Sequence, residues 1–125
     1  MQAKERKQLR KKLDKEMWHY RLAAKEEMPT GELLRAVRQA LRVTFKEIEE
    51  KTGIARSTLF DLEMSERKGS ITLRSLSRAA EGMGCKVVYG LVPLNGKTLE
   101  ELAEERMWKA VVGGGDQGQG IGSGE

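Results

Sequence analysis

FKEIEEKTGIARSTLFDLE, residues 45–63, is the stretch on which the fold turns. It follows Thr44, and Thr44-Phe45-Lys46-Glu47 has the form of a capping box. The threonine hydroxyl accepts from the backbone N–H of Glu47, and the Glu47 carboxylate reaches back to the N–H of Thr44. A short helix is predicted from Phe45. Gly53 stops it, because glycine takes the left-handed conformation that closes a helix at little steric cost. A second helix is predicted from about Ala55 to Met64, keeping Ile54, Thr58, Leu59 and Leu62 on one side. Two helices joined by a tight glycine-centred turn have the pattern of a helix-turn-helix. In the second of them Arg56, Ser57, Phe60 and Met64 lie opposite the apolar side, with Asp61 at its margin.

Towards the N-terminus, residues 3–25 lack Gly and Pro, and Leu9, Leu13, Met17, Tyr20 and Ala24 recur at helical steps, which predicts one long helix. Met28-Pro29-Thr30-Gly31 breaks it, since proline disfavours helical geometry in the residue before it. Another helix is predicted over about 32–41, facing inward with Leu33, Leu34, Val37 and Leu41. Beyond Glu63, residues 65–71 read as a loop, and Thr72 caps a helix to about Gly82 that buries Leu73, Leu76, Ala79 and Ala80. Cys85–Val92 is the one β-rich run, stopped by Pro93. Thr98-Leu99-Glu100-Glu101 is a second capping box and opens a helix to about Val112. Glycine supplies seven of the last 13 residues, so a disordered tail is expected there. The resulting division is a basic N-terminal helix (1–28), a helix-turn-helix domain (29–84), a strand plus helix for dimerisation (85–112) and the tail (113–125). The fold class is mostly α.

Composition narrows the chemistry. The 125 residues suit one domain, and no apolar run approaches the ~18–20 residues of a bilayer span. Single copies of cysteine (Cys85) and histidine (His19) exclude a disulfide framework and a Cys/His zinc cage within one chain, which fits a reducing cytoplasm. The net charge of +4 is unevenly spread. Residues 1–80 carry 19 bases against 12 acids, whereas residues 81–112 carry four against five. A basic face, if concentrated, belongs to the first two thirds of the chain.

The Phe45–Glu63 stretch resembles the helix-turn-helix of the phage-repressor and Cro family, with Ile48, Gly53, Ile54, Leu59, Leu62 and Glu63 at its core, turn and closing positions. Phe45 stands where that family usually has Gln, Glu49 where it has a small Ala, and Ala55 where it has a Ser or Thr cap. The resemblance implies a five-helix repressor-like domain whose second motif helix enters the major groove of a double-stranded DNA operator. Base contacts would come from Ala55, Arg56, Ser57, Phe60 and Asp61, with Arg56 able to pair O6 and N7 of a guanine. Phe60 either meets a thymine methyl or packs on a neighbouring helix. Phosphate would be met by Arg42, Thr44, Phe45, Lys46, Arg67, Lys68, Thr72 and Arg74, partly through backbone N–H groups at two helix starts.

A broader resemblance, over about residues 5–110 and carried chiefly by ITLRSLSRAAEGMGCKVVYGLVPL, is to the family called mobile mystery protein A. That family is found in bacteria, typically encoded beside a Fic-domain protein, which implies a toxin and antitoxin arrangement. Ser77, Glu81 and Gly82 form an S-x-x-x-E-G pattern similar to the motif that places an inhibitory Glu near the nucleotide phosphates of a Fic enzyme; the same residues also read as a plain helix end.

The remaining patterns carry little. Gly113–Gly118 matches G-x-G-x-x-G but follows no strand and opens no helix, so dinucleotide binding is rejected. No catalytic set, metal site or cofactor site is apparent, and no enzyme is expected. A lone strand cannot satisfy its own backbone groups, so Lys86, Val87, Val88, Tyr89 and Leu91 are expected to pair with the same segment of a second chain, making a homodimer; the alternative is pairing with an irregular stretch of the same chain, before Lys4 or near Asn95. The expected function is a cytoplasmic, sequence-specific DNA-binding repressor with no membrane partner, and the broader family resemblance implies the role of antitoxin to a Fic-type toxin. The alternative is an interaction module that binds and silences a Fic-domain partner, with DNA binding secondary.

Overall fold

The computed structural model describes residues 1–26 and 31–113. The chain is mostly helical: α1 (Ala3–Glu16), α2 (Trp18–Ala23), α3 (Leu33–Leu41), α4 (Phe45–Thr52), α5 (Arg56–Lys68), α6 (Leu73–Glu81) and α7 (Leu99–Val112), with a 3-10 turn at Leu94–Gly96. Among the described residues no strand forms, and no helix is long and apolar enough to cross a membrane. The break expected at Pro29 and the tail from Gly114 onward lie outside the described residues. Contacts divide the chain into two units, Met28–Val88 and Met1–Glu27 with Tyr89–Glu125. Regions 1–28 and 85–112, separate in the sequence reading, thus contribute helices to one unit.

The Met28–Val88 unit holds α3 to α6, four helices where the repressor resemblance implied five. Their core is Leu34, Ile48, Ile54, Leu59, Ala79, Ala80 and Met83, edged by Val37, Val43, Phe45, Leu62, Ile71, Leu76 and Cys85. Arg42 closes α3 in the left-handed conformation (φ 58°), where its N–H and that of Val43 return to the Gln39 and Arg38 carbonyls. The predicted capping box starts α4: the Glu47 N–H donates to Thr44 Oγ1 (3.1 Å) and the Thr44 N–H to Glu47 Oε1 (3.2 Å). Gly53, at φ 78°, ends it as expected. Thr52 then ties the turn, its hydroxyl donating to the Ile48 carbonyl (2.7 Å) and accepting from the Ile54 N–H (3.1 Å).

Residues 65–68, expected in a loop, belong instead to α5, which runs to Lys68 and closes on Gly69 (φ 79°). The cause is a pair of acids one turn apart that both bond α3. Glu63 takes the Arg38 guanidinium, and Glu66 Oε1 accepts the Leu34 N–H at 2.7 Å, satisfying one of the orphan donors at the start of α3. Thr72 caps α6 as predicted, accepting the Ser75 N–H at 3.1 Å. The last turn of α6 lies so close to α4 that a Cβ on Gly82 would come within 2.6 Å of Ile48 Cγ2.

In the other unit α1 and α7 run antiparallel: Asp14 meets the N-terminus of α7, while Ala3 and Lys7 line a groove with Met107. The Asp14 carboxylate accepts from the Leu99 (2.7 Å) and Glu100 (3.2 Å) N–H groups, and Arg10 Nε pairs with Glu100 at 2.6 Å. A carboxylate at a helix start is favoured by the orphan N–H groups and the dipole there. The second predicted capping box is formed by Thr98 and Glu101. The single helix expected over 3–25 is interrupted at Met17, and the Arg21 guanidinium donates to the Asp14 carbonyl (2.8 Å) beside the break. Cys85–Val92, expected as a strand, has no regular structure. A strand requires a ladder, and among the described residues this chain supplies no second one.

Candidate nucleic-acid interface

Anchoring comes first. Ile54 (7% exposed) and Leu59 (3% exposed) fix the start of α5 to the core, so the residues opposite them face solvent. Ala55, Arg56, Ser57, Phe60 and Asp61 are all exposed, and Met64 is half-buried. Phe60 is 56% exposed, so it does not pack into a neighbouring helix as a core residue would. Ala55 lies at the N-cap with extended backbone and gives no side-chain cap, leaving the first N–H groups of α5 without a capping side chain. Among the described residues Arg56 has one hydrogen-bond partner, Glu49 on α4, through Nε to Oε1 at 2.7 Å.

Of the phosphate candidates, Arg42, Lys46, Arg67, Lys68 and Arg74 are exposed. Arg67 and Lys68 project from the last turn of α5, a stiffer platform than the loop expected for them. Thr44 and Thr72 spend their hydroxyl oxygens on capping, and Thr44 Oγ1 also donates to Glu47 at 3.2 Å. The donors left at those helix starts are the backbone N–H groups of Phe45 and Lys46, and of Leu73 and Arg74, which have no intrahelical acceptor.

The Phe45 ring is half-buried, with the Arg38 guanidinium 4.3 Å from its centre. Arg38 is bound by Glu63 through two hydrogen bonds, Nε to Oε2 at 2.6 Å and Nη2 to Oε1 at 3.1 Å. The hydrogen bond to Glu63 raises the Arg38 pKa, against the lowering by burial, so this cation is permanent. Phe45, Phe60, Met64 and Arg67 line one groove with Arg35 and Arg38. Arg35 and Arg38 were not singled out from the sequence, and Glu49 was noted only as a departure from the repressor pattern, not as a partner of Arg56. Glu49 and Arg38 act across the helix packing, whereas Arg35 pairs locally with Glu32, and only the seven-residue interval from Glu49 to Arg56 over the turn could have signalled the first of them.

In α6, Ser77 is half-buried, Glu81 is exposed, and Gly82 is buried where α6 meets Ile48 and Thr52. Gly82 therefore has a packing role whatever Glu81 does. Lys86, Val88, Tyr89 and Leu91 of the β-rich run are exposed, with Leu91 88% exposed, and Val87 is half-buried. Among the described residues no cluster of His, Cys, Asp and Glu is arranged to hold a metal ion. Comparison with protein-family models, with curated proteins and with solved structures finds no match.

Proposed function

We propose that this chain is a sequence-specific DNA-binding regulator of the repressor and Cro type, acting as a cytoplasmic homodimer, within the family resemblance described above. One observation carries the reading. The first two turns of α5 are held from behind by Ile54 and Leu59 while Arg56, Ser57, Phe60 and Asp61 project outward, the presentation a recognition helix needs. Exposed Arg42, Lys46, Arg67, Lys68 and Arg74 on the same unit supply cations for the phosphate backbone. The exposed Lys86, Val88, Tyr89 and Leu91 support pairing of this segment between two copies, which would set two recognition helices ~34 Å apart.

The test is binding to selected and scrambled duplexes. Arg56→Ala should cost ~1–3 kcal/mol on the selected duplex and leave the scrambled one nearly unchanged. Lys68→Ala and Arg74→Ala should weaken both alike and each reduce the salt slope by about one unit. Val88→Pro should turn a dimer into a monomer, because proline removes a ladder donor. A chain that prefers no duplex would overturn the reading. The second reading, silencing of a Fic-domain partner, is favoured by the solvent exposure of Glu81. Under it, Glu81→Ala releases nucleotide transfer by the partner and leaves DNA binding intact.

A further inference from the structure

Arg56 leaves α5 where α4 passes, and the Glu49 carboxylate on α4 takes its Nε–H at 2.7 Å. The two side chains remain open to solvent, 59% and 36% exposed, so the pair is poorly suited to stabilising the fold. Its geometry suits another purpose. An arginine reading a guanine end-on uses its two terminal amino groups against O6 and N7, and those groups of Arg56 make no hydrogen bond to the described residues. Held at Nε, the guanidinium loses less rotamer freedom when it meets a base, since the side chain is already ordered.

We propose that Glu49 is a positioning residue that orients Arg56 towards one guanine of the operator. The inference rests on the DNA-binding reading above. Glu49 also brings a negative charge beside the recognition helix, and that charge opposes the approach of any duplex. The two effects have opposite signs: Glu49 raises selectivity and lowers general affinity. The substitution Glu49→Gln separates them, because the amide oxygen still accepts from Nε while the charge is gone.

The experiment uses the full chain and a pool of randomised duplexes to select the preferred sequence, with Arg56→Ala identifying the guanine concerned. Affinity is then measured for that duplex, for the same duplex with 7-deazaguanine at that position, and for a scrambled duplex. The wild type should lose several-fold on removal of N7, a part of the roughly 5- to 150-fold that one good bidentate contact is worth, since O6 still accepts. Glu49→Ala should shrink that loss several-fold while tightening binding to the scrambled duplex. Glu49→Gln should keep the loss and still bind the scrambled duplex more tightly. In an Arg56→Ala background, Glu49→Ala should alter all three duplexes equally.

Helical circular dichroism and the urea midpoint should stay near wild type in both Glu49 variants. A Glu49→Ala chain that binds all three duplexes more tightly by one common factor would overturn the proposal, leaving Glu49 a bystander charge. So would a preferred duplex with no guanine dependent on Arg56. A wild type that selects no duplex would overturn the underlying reading, and it would do so before any Glu49 variant is made.

Discussion

In the unit Met28–Val88 eight side chains or glycines are buried; in the unit formed by Met1–Glu27 and Tyr89–Glu125 no described residue is. The difference follows from helix count. Four helices enclose a volume, and Ile48 and Leu59 fill it at 3% exposure each. The other unit has three, but α2 is only six residues long, and the antiparallel pair α1 and α7 shares only a line of contact, which leaves the outer side of its side chains in water. The second unit is accordingly held by polar devices at the start of α7: the Asp14 cap, the Arg10–Glu100 pair and the Lys97–Glu105 pair. Exposed pairs contribute ~0–1 kcal/mol each, whereas one fully buried aliphatic side chain contributes ~1.5–3 kcal/mol. Stability is therefore concentrated between residues 31 and 88, and the proposed DNA-reading helix is mounted on that stable unit.

The largest effect should come from emptying the core. Ile48→Ala removes a side chain packed among α4, α5 and α6 and should destabilise the chain by ~2–5 kcal/mol in urea unfolding followed by circular dichroism. Leu9→Ala in α1, at a residue 42% exposed, should cost less than ~1 kcal/mol. Equal losses at the two sites would show that the second unit has a core after all.

A matched pair of glycines sharpens the same contrast. A Cβ on Gly82 would lie 2.6 Å from Ile48 Cγ2 and 2.9 Å from Thr52 Cγ2; one on Gly90 would lie 2.7 Å from Tyr20 Cγ. The clashes are nearly identical in size. Gly82→Ala should cost ~1–3 kcal/mol, because α4 and α6 are both locked into the core and cannot separate cheaply. Gly90→Ala should cost less than ~0.5 kcal/mol, because the irregular segment around it can move off the Tyr20 ring without opening a buried contact. Thermal midpoints of the two variants measure the difference directly.

These contrasts also mark what the sequence disclosed. Capping boxes at Thr44 and Thr98, the Thr72 cap and the Gly53 turn were legible because each is a local pattern of donor, acceptor and spacing. The apolar positions Ile54 and Leu59 were legible for the same reason, through helical periodicity, whereas Leu33, Leu41 and Leu73, placed inward by the same argument, are 43–55% exposed because each lies at the first or last residue of its helix, at the edge of the packing. The end of α5 was not, since Glu63 and Glu66 are polar and their value lies in bonds to Arg38 and Leu34, 25 and 32 residues away. The Asp14 cap on α7 spans 85 residues and left no local trace, so α1 and α7 were read as belonging to separate regions. The β-rich run shows the converse: composition favoured a strand, but strand structure depends on a partner that a local reading cannot supply.

A smaller effect is expected at Arg42, which holds φ 58° without being glycine. Arg42→Gly should relieve that conformation and stabilise the chain by ~0.5–1 kcal/mol, read as a raised urea midpoint. If Arg42 also meets phosphate, the same variant should bind every duplex more weakly and lower the salt slope by about one unit. Gain of stability with unchanged DNA affinity would remove Arg42 from the interface.

The smallest effect should be at the far end of α7. Trp108, Met107, Val111 and Val112 are between 60% and 76% exposed and occupy two adjacent rows of the helix surface. In water these side chains remain solvated both before and after folding, so deleting one changes the folded and unfolded states almost equally. Trp108→Ala should therefore shift the urea midpoint by an amount equivalent to less than ~0.5 kcal/mol, despite removing the largest side chain in the helix. Its fluorescence should be that of a solvated indole in the wild type, and its removal should dim the emission without changing the transition. The measurement is best made across a range of protein concentrations. A loss above ~2 kcal/mol that grows with concentration would mean that this face is covered in solution by another molecule. The absence of a core in this unit would then be a property of the single chain, because a partner's side chains would complete the enclosure that α1 and α7 cannot provide by themselves.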